Sequence, residues 1–169
     1  MLKSTYAYFN ISMNSLNIVT DTALKIYKRE NYILSLKPSF TDLEKAYNSH
    51  ARRYTKKAGK NCEISTHVNL EEYMKLKESN SPSGFRKKNG PKLKLIVSKA
   101  LMNHTGKIYG AYSRRNELIA AAFFVYEQKR ITYLNSVATE EGKELRAMYA
   151  LVDRFIRDHA NSSYLLDFE

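Results

Sequence analysis

The chain has 169 residues, of which 43% are hydrophobic and 12% aromatic; this is enough apolar material for one folded domain and argues against global disorder. Its formal net charge is +11, and the excess is uneven. Residues 1–60 carry 11 basic and four acidic side chains, residues 61–110 carry nine and four, and residues 111–169 carry eight and nine. Such asymmetry favours an anionic partner, namely a phosphate-bearing ligand, a nucleic acid or a membrane surface, although a solvated basic face explains it equally well.

Features that would place the chain in or across a membrane are missing from the sequence. The longest apolar run, residues 118–126, is shorter than the about 20 residues that span a bilayer, and the N-terminus lacks the apolar core of a secretory signal. The single cysteine, Cys62, cannot form an internal disulfide. We therefore expect a cytoplasmic protein. Its four histidines are scattered without the spacing of metal ligands, so no metal is expected.

The first elements in chain order are a strand and a helix. Residues 1–30 have no sustained period and are predicted to be irregular, apart from a strand near residues 6–11. Residues 32–36 predict a strand. From Phe40 to Ala58 apolar residues recur every three or four positions, which predicts one helix that ends at Gly59. The last turns of this helix carry basic side chains that either complement the helix dipole or bind an anionic substrate, namely Arg52, Arg53, Lys56 and Lys57.

Three further elements are predicted before the middle of the chain. Residues 62–68 alternate like a strand, and Asn69 is typical of a helix N-cap. Residues 79–90 predict a mobile loop, and a further helix opens at Pro91 and ends at Gly106. The loop carries a second group of candidate anion-binding residues, which are Arg86, Lys87 and Lys88. The predicted buried side of the helix consists of Leu93, Ile96, Val97, Ala100 and Leu101.

The last third of the chain predicts an antiparallel meander, a helix and a final strand. The strands are residues 107–113, 117–126 and 130–138, joined by short turns. From Thr139 the apolar period changes to three and four residues, which predicts one long helix. Residues 164–168 predict a strand that returns through this crossover and pairs in parallel beside the meander.

In this order the elements resemble the FemAB-like branch of the GNAT superfamily of acyltransferases. The residues that carry the resemblance are Tyr32–Leu36, Ala51–Ala58, Gly106–Tyr112, Leu118–Phe124, Ile131–Leu134 and Tyr164–Glu169. The resemblance implies one α/β (α+β) domain over residues 31–169, with a mixed central sheet, an antiparallel meander and flanking helices. Because the family continues beyond such a last strand, it also implies that the C-terminal part of the domain is missing.

The resemblance further implies transfer of an acyl or aminoacyl group to an amine, with acyl-CoA or aminoacyl-tRNA as the donor. It assigns no catalytic residue. The positions expected to bind the cofactor are Asn135, Gly142, Lys143 and Arg146. The turn at residues 138–146 departs from the glycine-rich family pattern, because it has one glycine and three carboxylates, and these carboxylates complement the same helix dipole that would bind phosphate.

Two alternatives remain at this stage. The basic and aromatic side chains before residue 111 also suit a non-catalytic RNA- or tRNA-binding module, and an incomplete domain also suits a regulatory half of a larger protein. If residues 164–168 pair on one side only, their other edge is bare. We then expect self-association through the last strand, or coverage by residues 1–20 folding back.

Overall fold

The computed structural model describes residues 20, 25–27, 30–82 and 84–168, without the side chain of Arg86. The strand predicted near residues 6–11 lies outside the described residues, as does Glu169. The described residues from Asn31 onward belong to one compact unit. No helix among the described residues is long and apolar enough to cross a membrane.

This unit contains six strands and seven helices among its described residues, and β3, β4 and β5 follow one another directly. The strands are β1 (Ile33–Ser35), β2 (Cys62–Ser65), β3 (Gly106–Ser113), β4 (Leu118–Glu127), β5 (Arg130–Ala138) and β6 (Leu165–Asp167). The helices are α1 (Phe40–Lys45), α2 (Ser49–Gly59), α3 (Leu70–Ser79), α4 (Phe85–Lys88), α5 (Gly90–Met102), α6 (Glu140–Glu144) and α7 (Ala147–His159).

The six strands form one mixed sheet in the order β1-β6-β5-β4-β3-β2. All neighbours are antiparallel except β5 and β6, which are parallel. The antiparallel meander and the parallel last strand predicted from the sequence are thereby confirmed. Alternating side chains along the meander point to opposite faces of the sheet, so each face has its own helical layer.

Two apolar cores lie on the two faces of the sheet. On one face α7 packs through Leu151 and Phe155 against Phe124 and Leu166, all fully buried. On the other face α3 and α5 pack through Tyr73 and Val97, which are also fully buried. Aromatic rings dominate the first core, where the Phe124 and Phe155 rings stack with centroids 3.7 Å apart.

The free edge predicted for the last strand is covered, and that expectation is wrong. Strand β1 pairs antiparallel with β6, with Ile33 opposite Asp167 and Ser35 opposite Leu165. The Phe168 N–H also donates to the Tyr32 carbonyl at 3.0 Å. Because the second edge of β6 is already paired, the reason for expecting dimerisation through that strand is removed.

Both long helices predicted from periodicity are broken in two. Asn48 separates α1 from α2, since its Oδ1 accepts from the Ala51 N–H at 2.8 Å and caps a new helix. Arg146 separates α6 from α7, because it has a φ of 60° in the left-handed region.

Three smaller expectations between β2 and β3 also need correction. The predicted loop contains α4, and Gly90 already belongs to α5. Helix α5 ends at Met102, so Gly106 is the first residue of β3 and not a helix stop. A Cβ on Gly106 would lie 2.8 Å from the Ala100 Cβ and from the Phe123 ring, which explains the glycine by close packing. Ile96, predicted to be buried, is 50% exposed.

Candidate active site

Strand β5 leaves its parallel neighbour after the first three of its nine residues. The pairing with β6 starts at Arg130 and Leu165 and ends at Thr132 and Asp167. Beyond that point, residues 133–138 pair with β4 on one side, and no described strand pairs with them on the other. We call residues 130–132 the closed end of β5 and residues 133–138 its open end.

A β-bulge lies at the junction between the two ends. Phe124 of β4 is opposite Tyr133, and its neighbour Phe123 is opposite Asn135, so Leu134 is an extra residue without a partner. A bulge of this kind bends the strand and re-aims the side chains that follow it. Tyr133 therefore lies on the α7 face with Phe124, whereas Asn135 lies on the α3 face with Phe123.

The backbone groups of alternate residues at the open end face away from β4. The Thr139 N–H donates to the Ile119 carbonyl of β4 at 2.9 Å. Because alternate residues of an antiparallel strand point their N–H and C=O to the same side, the backbone groups of Ser136 and Ala138 point to the unpaired side. The Ser136 carbonyl confirms this orientation, since it accepts from the Lys77 Nζ of α3 at 2.8 Å.

Two side chains of α3 reach the open end. Tyr73 and Lys77 are four residues apart and so lie on one face of the helix. The Tyr73 hydroxyl donates to Asn135 Oδ1 at 2.9 Å, and Lys77 binds the Ser136 carbonyl. Asn69 orients the helix, because its Oδ1 accepts from the Glu72 N–H at 2.8 Å as the predicted N-cap does.

Burial shifts the acidities of this group in opposite directions. It raises the pKa of the Tyr73 hydroxyl and also that of the Tyr133 hydroxyl. Burial lowers the pKa of the Lys77 ammonium. Both tyrosine hydroxyls therefore remain protonated at neutral pH. The Lys77 ammonium gives up its proton more readily than that of a solvated lysine. Perturbed titratable groups of this kind are concentrated at functional sites.

The four predicted cofactor positions do not form one group in the contacts of the described residues. Asn135 belongs to the open end with Tyr73. The Gly142 N–H donates to Thr139 Oγ1 at 3.0 Å, and a Cβ there would lie 2.2 Å from the Ile119 carbonyl oxygen. Lys143 pairs with Glu140 at 2.6 Å. The first turn of α6 thus pairs the Gly142 N–H with Thr139 and Lys143 with Glu140, and Glu141 pairs with Arg115 at 2.9 Å.

Three of the predicted basic residues come together around Tyr54. The guanidinium carbons of Arg53 and Arg146 lie 4.8 Å and 4.7 Å from the centroid of its ring. The Lys57 Nζ donates to the Glu144 carbonyl at 3.0 Å. None of the three cations forms a salt bridge with a carboxylate of the described residues. The Arg53 guanidinium lowers the pKa of the Tyr54 hydroxyl by donating a hydrogen bond to it.

The other predicted basic residues are placed separately. The Arg52 Nε donates to the Tyr47 carbonyl at 2.9 Å, and its Nη2 to the Lys45 carbonyl, so this guanidinium caps α1. Lys56 is an exposed residue of α2. Residues 86–88 form most of α4, which precedes α5 on the other side of the sheet. The structure therefore divides the predicted basic positions into two surfaces.

Sequence reasoning missed Tyr73 and Lys77. Their four-residue spacing and the polar Asn69 cap were visible, but neither indicates a partner sixty residues away on β5. The carboxylate of Asp167, at the end of β6, is not part of this group. Asp167 is 1% exposed and is bound by the Arg130 guanidinium and by the Asn31 Nδ2 at 2.9 Å, so it belongs to the closed end.

The fold is shared with known structures. No protein-family model matches the sequence, and no curated protein does. FemX is similar, with a TM-score of 0.62, 10% identity, and coverage of 82% of this chain and 52% of FemX. A conserved protein of unknown function from Bacteroides thetaiotaomicron VPI-5482 has a TM-score of 0.55 and 11% identity, over 82% of this chain and 49% of that one. The fold is FemAB-like GNAT, as predicted. The chain spans about half the length of both structures.

No group of three or more histidine, cysteine or carboxylate side chains that could hold a metal ion is found among residues 30–82 and 84–168. The polar groups of the open end are amide, phenol, amine and backbone groups. Their chemistry is that of hydrogen bonding and proton transfer.

Proposed function

We propose that this chain is an N-acyltransferase domain that moves an acyl or aminoacyl group onto an amine. The observation that carries the proposal is the divergence of β5 from β6 after Thr132, with the bulge at Leu134. The divergence leaves strand donors unpaired beside buried phenols and an amine. The GNAT-like fold shared with FemX supports the same reaction class.

The acyl carbonyl binds along the open end in this proposal. The Ser136 N–H, turned to the unpaired side, donates to the carbonyl oxygen, which becomes negative as the amine attacks. Backbone donors fixed by a sheet stabilise such charge without reorganisation. Tyr133 supplies a second donor on the same strand, because burial keeps its hydroxyl protonated.

Lys77 is the proposed proton acceptor for the attacking amine. Its pKa is lowered by burial, so a larger fraction is neutral than for a solvated lysine, and its Nζ lies 2.8 Å from the Ser136 carbonyl at the edge where the acyl group binds. The new C–N bond forms, the bond to the donor breaks, and Lys77 removes the proton that the amine loses. Positioning of the two substrates contributes the rest of the acceleration.

The donor is proposed to place phosphate groups on Arg53, Lys57 and Arg146 around Tyr54. These cations lack carboxylate partners among the described residues, whereas Lys143 of α6 pairs with Glu140. Guanidinium groups bind phosphate bidentately. Both acyl-CoA and aminoacyl-tRNA carry phosphate groups. Because RNA has many phosphates along its backbone, binding of aminoacyl-tRNA should weaken more steeply with salt than binding of acyl-CoA.

One backbone donor can be deleted to test the reaction. Ser136→Pro removes the N–H on the unpaired side of the strand, where proline is tolerated, and Ser136→Ala keeps it. We expect the proline variant to lose at least about 100-fold in acyl transfer, in the range of a lost oxyanion donor, while the alanine variant stays within about threefold of wild type. Transfer of labelled acyl groups is measured with acetyl-CoA and aminoacyl-tRNA as separate donors. Equal activity of the two variants would contradict the proposed carbonyl site.

The second candidate is a non-catalytic RNA-binding module, favoured by the exposed cations around Tyr54. It predicts tRNA binding that weakens steeply with salt and is lost in Arg53→Gln/Arg146→Gln. It also predicts no acyl transfer with either donor. Wild-type transfer that is lost in Ser136→Pro would exclude this alternative.

A further inference from the structure

Helix α5 exposes large aliphatic side chains away from the sheet. Its inner side reaches the core through Val97, which is fully buried. On the outer side Leu95 is 56% exposed, Ile96 50% and Met102 78%. Leu95 and Met102 are seven residues apart and therefore lie within about 20° of each other around the helix axis. A soluble amphipathic helix normally presents polar residues on this side.

Lysines share this outer face. Lys92 precedes Leu95 by three residues and Lys99 follows it by four, so the two ammonium groups flank Leu95 along the helix. Neither forms a salt bridge with a carboxylate of the described residues, whereas Lys94 pairs with Glu71 at 2.9 Å. Lysine stems lie along apolar surface while their charges reach the polar boundary. The outer face of α5, defined as Lys92, Leu95, Ile96, Lys99 and Met102, is thus apolar and cationic at once.

The sequence around α5 is free of acidic residues. From Ser79 to Asn116 there are nine lysines and arginines and no aspartate or glutamate. Two of these cations, Lys87 and Lys88, lie on α4, which directly precedes α5. Helices α4 and α5 therefore carry several cations and no carboxylate of their own, and the neighbouring helix α3 contributes Glu71, which pairs with Lys94. The partner that fits such a surface is polyanionic.

The type of exposed apolar residue distinguishes between two polyanionic partners, RNA and an anionic lipid bilayer. Surfaces that bind single-stranded RNA stack bases on aromatic rings or guanidinium planes, but the exposed apolar side chains of α5 are leucine, isoleucine and methionine. Aliphatic residues interleaved with lysine are typical of helices that lie in the interface of an anionic bilayer. We propose that the outer face of α5 docks the domain on the surface of an anionic phospholipid bilayer.

The first test is binding to vesicles of phosphatidylcholine alone and with one third phosphatidylglycerol. Wild type is expected to sediment with the anionic vesicles and to stay in solution with the neutral ones. Leu95→Gln/Met102→Gln should weaken anionic binding at least about tenfold, because the buried aliphatic area is lost. Lys92→Gln/Lys99→Gln should weaken it about 25-fold, since each of the two lysines near an anionic surface contributes about fivefold. Glutamine is a good helix former and these positions are exposed, so folding is retained, as circular dichroism will verify.

Two matched control variants remove the same charge, or one exposed large side chain, outside α5. Lys60→Gln/Lys129→Gln removes the same charge from exposed positions outside α5, and Tyr32→Gln removes a side chain that is 72% exposed. Both controls should bind anionic vesicles within about threefold of wild type. If they weaken binding as much as the α5 variants, or if Leu95→Gln/Met102→Gln binds normally, docking through this face is overturned. A wild-type dimer in light scattering that becomes monomeric in Leu95→Gln/Met102→Gln would also overturn it, by assigning the face to a second copy.

Vesicle binding and acyl transfer can be separated. The outer face of α5 shares no residue with the open end of β5, so the α5 variants should transfer acyl groups to a small water-soluble amine at the wild-type rate. Ser136→Pro should bind vesicles normally. Loss of vesicle binding in Ser136→Pro would contradict the independence of the outer face of α5 and the open end of β5.

Discussion

The closed and open ends of β5 differ in how they hold their polar groups. At the closed end Arg130 and Asp167 form an ion pair whose side chains are 13% and 2% exposed, and Asn31 completes it. At the open end Tyr73 binds Asn135 and Lys77 binds the Ser136 carbonyl. The closed end is fixed by paired opposite charges, whereas neutral groups and one lysine stabilise the open end.

If the open end binds a ligand as proposed, the difference explains how one strand can both anchor the sheet and bind that ligand. A buried ion pair is costly to break because each partner would be left as an uncompensated charge. It therefore fixes where β6 starts to diverge. The neutral hydrogen bonds at the open end cost less to exchange for contacts with a substrate. We infer that rigidity at residues 130–132 positions the donors at residues 133–138.

The largest expected effect is loss of the charged pair. Asp167→Ala removes the carboxylate that forms the buried ion pair with Arg130, and we expect it to lower the free energy of unfolding by about 3–5 kcal/mol. Urea denaturation measures this. The double variant Arg130→Met/Asp167→Leu removes both charges together and should recover most of the loss. A loss below about 1 kcal/mol in Asp167→Ala would show that the pair does not anchor the closed end.

A steric change in α6, the helix that follows the open end, should be next in size. In Gly142→Ala the new Cβ would lie 2.2 Å from the carbonyl oxygen of Ile119, so α6 must move away from β4. We expect a loss of about 2 kcal/mol in the free energy of unfolding, which is typical of overpacking. The control is Gly59→Ala in α2, where a Cβ meets nothing within 4 Å and helix propensity favours alanine. Similar stabilities for both variants would refute the close approach.

These two ends were not equally predictable from sequence. The bounds of β5, Arg130–Ala138, follow from its β-branched and aromatic residues and agree with the structure. The bulge at Leu134 does not follow, because it depends on the register against β4. Coverage of β6 by β1 was missed for the same reason, since it joins residues far apart in the chain.

The candidate site was predictable only in part. Asn135 was among the expected cofactor residues and does lie at the open end. Its partner Tyr73 and the nearby Lys77 come from α3, and helix periodicity explains them equally well as packing residues. Periodicity predicts which side of a helix is buried, but not which strand edge it meets. It also failed at Ile96, whose exposure depends on how α5 tilts on the sheet.

A single hydrogen bond at the open end should have a smaller effect than either change above. Tyr73→Phe keeps the buried ring and removes the donor to Asn135 Oδ1, so we expect a loss of about 1 kcal/mol in the free energy of unfolding. Tyr32→Phe, at an exposed position, serves as control and should have no effect. If the open end is the acyl site, Tyr73→Phe should lower acyl transfer more than its stability loss explains. Unchanged stability would show that Asn135 finds another donor.

The smallest expected effect is a pH dependence of stability beside the closed end, where Tyr126 of β4 lies opposite Ile131. The His159 Nδ1 donates to the Phe155 carbonyl at 2.8 Å, so Nε2 of the neutral ring accepts from the Tyr126 hydroxyl at 2.8 Å. Burial lowers the pKa of His159, and the folded state therefore binds its proton less readily than the unfolded chain. The stabilisation is complete above the unfolded pKa of about 6.5 and is lost as pH falls through the lower folded value.

The melting temperature of wild type should consequently fall as the pH drops below about 6.5. His159→Gln lacks the titrating ring and should show a smaller fall over the same range. The control is His50→Gln, because His50 is an exposed residue of α2 without contact to the closed end; it should follow the wild-type curve. Parallel melting curves for wild type and His159→Gln would mean that protonation of this ring does not oppose folding. The closed end would then be stabilised by the Arg130–Asp167 pair without a contribution from a neutral histidine.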